Sequence, residues 1–294
     1  MSKITLITPC FNGEGHIQNY INGLLSQTVK DVEYIFVNDG STDKKKEIIM
    51  GYKNDFLKKG WDFKYIEQEN RGQAAAINCA LKIMTGDFFS CIDSDDILLP
   101  EFLEKMSRYL ENNSDVDMVF PVVELVKEKT MEHISYRERK VPEKVIDTLF
   151  SDMLLKCDNL PIFASFMIRK TSFEKYNPIK KIYEGYSGQN PQFILPIAYN
   201  GKVAYLSDCL LKCVVRANSD SHSNLIDKIT NWEDIYCKTL RDIPNMPDYE
   251  KSYYFSKIKE RWSKVAENEK AKEKSKRIIF KIFGIKISLK LPRS

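Results

Sequence analysis

Asp93, Ser94, Asp95 and Asp96 place three carboxylates within four residues. Like charges this close repel one another unless a cation sits between them. Alternate side chains of a strand share a face, so Asp93 and Asp95, at the end of an apolar run, point the same way. Hard oxygen ligands suit Mg²⁺ or Mn²⁺, which bind through one or two carboxylates and draw their remaining ligands from substrate phosphates and water. A calcium loop of the EF-hand type does not fit, because Ile97 and Leu98 stand where an oxygen ligand and a glycine are required. The competing reading is an acidic turn that caps the helix opened by Pro100.

Other segments carry groups of related use. An acid at the place of Asp39, after a β-type run, accepts hydrogen bonds from a ribose or a base in dinucleotide-binding sheets. Asp39-Gly40-Ser41-Thr42-Asp43 reads equally as a tight turn into a helix, with Asp43 as its cap. Arg71, beside Gly72, is either a solvated charge or one end of a phosphate bridge to a metal. Gly13-Glu14-Gly15 begins like a nicotinamide-cofactor fingerprint, but Gln18 occupies the place of its third glycine, which breaks the motif. No Cys or His pair has zinc-ligand spacing.

These groups need a scaffold that brings them together. Ile4–Thr8, Glu33–Asn38, Phe63–Ile66 and Phe88–Ile92 read as strands. Between them, apolar residues recur at helical spacing at 17, 20, 21, 24 and 25, at 48, 49, 52 and 56, and over Ala74–Met84. A further helix follows Pro100. Strands alternating with helices predict an α/β fold, a Rossmann-like and mostly parallel sheet flanked by helices, with ligands at the carboxyl ends of its strands. Pro9–Asn12, Asp39–Asp43, Asn70–Gly72 and Asp93–Asp96 should therefore converge on one edge. In the second half, Met118–Val123, Ser165–Ile168, Lys202–Leu206 and Leu210–Arg216 read as strands, and Val145–Leu155 and Gln189–Tyr199 as helices. Beyond Leu225 the pattern is polar and helical, interrupted by Pro244 and Pro247.

Apolar residues make up 43% of the 294 and charged residues 29%, which is the composition of a globular chain and excludes wholesale disorder. No apolar run reaches the eighteen residues of a membrane-spanning helix, and the amino terminus has no basic-then-apolar secretory pattern. Seven scattered cysteines then read as free thiols in a reducing compartment. The net charge of +4 hides an asymmetry: residues 270–294 hold nine Lys and Arg against Glu273 alone, leaving the body mildly acidic. A basic tail suits an acidic surface, anionic lipid or nucleic acid, or is a solvated end.

The opening ITLITPCFNGEGHIQNYINGLLSQT, then EYIFVNDGSTD, NRGQAAAIN and GDFFSCIDSDDILLP resemble, in order and spacing over about residues 3–110, the inverting glycosyltransferases of family 2, which have the GT-A fold. The resemblance implies a nucleotide-diphosphate-sugar donor, usually a UDP-sugar. Pro9, Phe11, Asn12 and Glu14 would line the nucleoside pocket, Phe11 standing where the family usually has Tyr. Asp39 would hold the base, and Arg71 would reach the base or the diphosphate. Asp93, Ser94 and Asp95 would be the D-x-D motif, with Asp95 on Mn²⁺ or Mg²⁺ and Asp93 supporting the ribose or a metal water. Downstream, residues 215–223 resemble the closing Arg/His segment, which makes His222 a third metal-site candidate.

The family's base is commonly the Asp of a Glu-Asp pair opening a helix. Here that place is taken by Gln189 and Asn190, and an amide does not accept a proton near neutral pH. Glu184 is the nearest carboxylate in sequence and the first candidate, with Asp208 and Asp220 behind it. The expectation is a metal-dependent inverting hexosyl- or N-acetylhexosaminyl-transferase of cytoplasmic surface-polysaccharide synthesis, peripheral on the inner membrane face. The basic tail would hold it on an anionic membrane near a glycan or lipid-linked acceptor, without nucleic acid as partner. Residues 1–224 would form the transferase domain (donor half 1–115, acceptor half 116–224) and 225–294 a helical extension. The alternatives are a non-catalytic relative that keeps the donor site, motivated by Asn190, and a nicotinamide enzyme on a doubly wound sheet.

Overall fold

The computed structural model describes residues 2–137, 148–155, 165–185, 188–216 and 225–282, with the backbone alone for 225–230 and 269–282. The first half alternates as the periodicity predicts: β1 (Ile4–Cys10), α1 (Ile17–Ser26), β2 (Val32–Asp39), α2 (Lys45–Gly51), α3 (Lys53–Lys58), β3 (Asp62–Gln68), α4 (Gln73–Leu81), β4 (Phe88–Cys91), β5 (Ile97–Leu98) and α5 (Phe102–Asn112). The single helix expected over residues 48–56 is two, broken at Tyr52. The second half runs β6 (Met118–Lys127), β7 (His133–Arg137), α6 (Leu149–Leu155), β8 (Met167–Arg169), α7 (Lys170–Tyr176), α8 (Gln189–Asn200), β9 (Val203–Val215), α9 (Leu225–Asp242) and α10 (Asp248–Ile282).

These strands form one sheet in the order β3-β2-β1-β4-β8-β6-β9-β5, with β7 paired to β6. β3, β2, β1 and β4 are parallel, as are β6 and β9. β8 lies antiparallel between β4 and β6 and joins the two parallel groups. The two strands expected at 202–206 and 210–216 are one, and its register against β6 shifts around Phe120–Val123. A bulge of this kind bends a strand without ending it, so the polar Ser207-Asp208 step that looks like a turn in sequence is an irregularity within β9.

Alternating strand residues feed opposite faces. Ile7, Ile35 and Val37 join a core with α4, α6, α8, α9 and α10. Leu6, Tyr34 and Phe36 join a second core under α1, α3 and α5. A sheet covered on both faces buries whole strands, which is why β1 and β2 are apolar runs rather than alternating patterns. α9 and α10 belong to the first core, with Ile235, Leu240, Ile258 and Trp262 buried there. Among the described residues no helix is long and apolar enough to cross a membrane. Cys10, Cys79, Cys91, Cys209, Cys213 and Cys237 are free thiols, and Cys157 lies outside the described residues.

Candidate functional site

Because β1 to β4 are parallel, their carboxyl ends share one edge, and the loops that follow are bound to one another there. The buried Asp39 carboxylate accepts from Gln68 Nε2 at 2.7 Å and from the Arg71 N–H at 3.0 Å through Oδ1, and from the Gly72 N–H at 2.8 Å through Oδ2. It thereby shapes the loop that carries the exposed Arg71. The approach is close: Gly40 has φ +72°, and a Cβ there would sit 2.7 Å from the Asn70 nitrogen.

Pro9 is buried at the end of β1, and the ring of Phe11 beyond it is half exposed. Asn12 takes a left-handed φ of +47°. Its N–H donates to Ser41 Oγ at 3.0 Å, and its Oδ1 accepts from the Thr42 N–H at 3.0 Å. Glu14 Oε2 accepts from the Lys44 N–H at 3.0 Å. Asp43 does more than cap: its Oδ2 holds the N–H groups of Gly13 at 2.6 Å and Glu14 at 2.9 Å, while Oδ1 takes that of Lys45 at 3.2 Å. The loop after β1 is thus fastened to residues 41–45 through Asn12 and Glu14, two residues that the family resemblance assigns to the nucleoside pocket.

Asp93, Asp95 and Asp96 each present a carboxylate oxygen, all within 4.8 Å of one another. Asp93 Oδ1 accepts from Gln73 Nε2 at 2.5 Å, and Asp95 pairs with Arg216 at the end of β9. Asp96 is turned inward, where it takes the Val214 N–H at 3.4 Å. Burial, reinforced by the charge of Asp95, pushes the Asp93 carboxyl above the usual carboxylate range. Burial and the charges of Asp95 and Asp93 push Asp96 well above it. The cluster offers oxygen donors only, crowded and short of positive charge, and these residues fit a hard divalent cation.

Ser94 lies in the middle of the turn, its Oγ 3.0 Å from Cys10 Sγ at the end of β1. The expected convergence of the four polar segments is therefore what the fold builds.

In the second half of the chain, α8 begins at Gln189 after Gly188, whose φ is +94°. Gln189 is hydrogen-bonded to Gln73, the residue that holds Asp93, and Asn190 follows half-buried in the same turn. Glu184 is exposed, but its Oε1 accepts from Asn78 Nδ2 at 3.1 Å. Asn78 also takes the Ile182 N–H at 2.9 Å and donates to its carbonyl at 2.8 Å. Asn78 is five residues beyond Gln73 on α4, about 7.5 Å of helix rise. Asp208 is held by Lys105 of α5 at 2.6 Å. His222, Asp220 and Ser187 lie outside the described residues.

Sequence reading missed Gln73 and Lys45. Gln73 opens a helix directly after a strand-end loop, a place that could have drawn notice. Lys45 stands in a run of three lysines and looks like surface.

The model of the family described as Glycosyl transferase family 2 matches residues 5–176. The glycosyltransferase GlyA of Streptococcus pneumoniae is 36% identical over 115 residues, 39% of this chain and 16% of its own length. The uncharacterized glycosyltransferase MJ1057 of Methanocaldococcus jannaschii is 29% identical over 216 residues, 73% of this chain and 71% of its own. Among solved structures, residues 1–349 of TarS from S. aureus in complex with UDP-GlcNAc have a TM-score of 0.67 at 18% identity, over 87% of this chain and 71% of that one. A likeness at that identity speaks for the fold.

Proposed function

This chain belongs to glycosyl transferase family 2, and from that premise we propose that it moves a hexosyl or N-acetylhexosaminyl group, with inversion, from a UDP-sugar to a glycan or lipid-linked acceptor of surface-polysaccharide synthesis. The observation that carries the reading is the cluster of Asp93, Asp95 and Asp96 at the carboxyl edge of the sheet, beside the loops of Phe11, Asp39 and Arg71. UDP-GlcNAc bound to TarS, which shares the fold, supports the choice of uridine donor.

Asp95 and Asp93 would hold Mn²⁺ or Mg²⁺, with His222 as a further candidate ligand. Such an ion neutralises charge developing on the leaving diphosphate. The chain's own residues do the rest. Phe11 offers an exposed ring face to the base, and Asp39 sets the loop from which Arg71 reaches the base or the diphosphate. Gln73 keeps Asp93 aimed. The acceptor hydroxyl must lose a proton as it attacks from the face opposite the diphosphate, and a positioned carboxylate contributes ~10²–10⁴-fold to such a step. Glu184 is that base in our reading, held against α4 by Asn78, and Asn190 orients the acceptor through its amide. Residues 1–115 bind the donor, 116–224 the acceptor, and the basic end of the 225–294 extension keeps the protein peripheral on the inner, anionic face of a membrane.

The amides at 189 and 190 favour a second reading, a donor-binding relative that acts through a partner without turnover. A screen of nucleotide sugars with Mn²⁺, read by release of nucleoside diphosphate and by thermal stabilisation, tests both. Release from a UDP-sugar supports the transferase. Stabilisation without release supports the second reading, and the absence of both responses overturns the donor assignment.

A further inference from the structure

Of the lysines at 44, 45 and 46, only Lys45 is buried, with 1% of its surface exposed. Lys46 pairs with Glu67 on the outside. Lys45 opens α2 and runs inward beneath the donor loop. Its Nζ bonds Cys10 Sγ at the end of β1 and the Asn12 carbonyl in the loop beyond, and lies 3.5 Å from Ser94 Oγ in the Asp93–Asp95 turn. An ammonium has three N–H donors, and here its three acceptors come from two separate stretches of chain, residues 10–12 and the Asp93–Asp95 turn. Gly13 admits it: with φ +114° and no side chain, it leaves Nζ only 3.1 Å from where a Cβ would be. A buried charge is costly unless its donors are satisfied. These donors go to a thiol, a carbonyl and a hydroxyl rather than to a carboxylate, although the Asp43 carboxylate feels the charge.

We propose that Lys45 is a positioning residue for the donor: its buried ammonium clasps the loop after β1 to the Asp93–Asp95 turn and places a fixed positive charge behind the site that takes the diphosphate. This deepens, and rests on, the donor assignment above. The nucleoside contacts sit on one side of the clasp and the carboxylates on the other. A ligand that spans both, such as UDP, senses their separation and the charge, whereas uridine senses only the nucleoside side.

The test measures UDP and uridine affinities in Mn²⁺ by calorimetry on the full chain. Lys45→Met keeps an unbranched stem of similar length and removes the donors and the charge. The expected result is a ~10–100-fold weaker UDP affinity with uridine affinity changed less than threefold. A merely structural role would lower the melting temperature and weaken both ligands in proportion. Ser94→Ala removes one acceptor while leaving Lys45, and is expected to lower the UDP-to-uridine affinity ratio three- to tenfold at wild-type melting temperature; it decides the matter if Lys45→Met does not fold. Wild-type UDP affinity in a folded Lys45→Met, an equal loss of both ligands, or an unchanged ratio in Ser94→Ala when Lys45→Met does not fold overturns the clasp alone. Failure of the wild-type protein to bind UDP overturns the donor assignment and the clasp with it.

Discussion

Asp95 meets the Arg216 guanidinium at a point where a divalent cation and a diphosphate would also compete for charge. An amide at that position keeps the shape and loses the charge. Asp95→Asn is therefore expected to abolish Mn²⁺-dependent UDP binding while leaving the melting temperature within a few degrees of wild type. Undiminished turnover in the variant, or full activity in EDTA, would contradict the metal assignment. Glu184 poses a different question, since it touches Asn78 and not the Asp cluster. If it takes the acceptor's proton, Glu184→Gln lowers the transfer rate by ~10²-fold or more with donor affinity little changed, because only the transition state uses that group. An unaltered rate would remove Glu184 from the mechanism. Asn190→Asp is expected to be tolerated.

Opposite the edge that carries the candidate site, the amino ends of the strands are tied by one buried carboxylate. Glu33 of β2 accepts from Thr5 Oγ1 of β1 at 2.6 Å, from the Thr85 N–H at 2.7 Å and its Oγ1 at 2.8 Å, and pairs with Lys64 of β3 at 2.5 Å. Burial alone would raise its pKa, but the bonds to Lys64, Thr5 and Thr85 prevail and bring it down to about 2. A carboxylate whose folded pKa lies below its unfolded value stabilises the fold above the unfolded pKa. That contribution is lost as pH falls through the folded pKa. The window here runs from about 4.5 down to about 2, and the contribution is about 3 kcal/mol. Urea midpoints should fall steeply across that window in the wild type. Glu33→Gln should start lower at pH 7 and show a flatter pH dependence; an equally steep fall in the variant would place the acid sensitivity elsewhere.

Taken whole, the molecule is a sheet with the candidate site on one edge and a helical pair, α9 and α10, packed into one of its two cores. α10 continues as backbone helix to Ile282, and residues 283–294 lie outside the described residues. Residues 270–294 carry a net +8 together with Ile278, Ile279, Phe280, Ile282, Phe283 and Ile285. Deleting them should release the protein from vesicles containing anionic lipid, each Lys or Arg near such a surface being worth about 1 kcal/mol. Donor hydrolysis in solution should persist. Equal vesicle binding by the shortened chain would refute the membrane role, and a large loss of thermal stability would instead assign the segment to packing.

The four strand-end segments, their order and the alternation of strand and helix are legible in the chain because they are local. Apolar spacing reports the faces of an element, and Gly40, Gly72 and the aspartates report turns that only certain residues form. The antiparallel β8 between two parallel groups and the continuity of β9 through its bulge depend on partners far away in sequence, and no local spacing encodes them. The same holds at the site. The sequence marks Asp93, Asp95 and Asp39 by type and place. Lys45 lies between two other lysines, and only the closing of α2 against β1 and the Asp93–Asp95 turn turns it inward. Gln73 and Gln189, 116 residues apart, meet because α4 and α8 pack against the same face of the sheet. Which polar groups are removed from water, and what they meet there, is decided by the packing of elements, and that is where the tertiary structure adds what composition and periodicity do not hold.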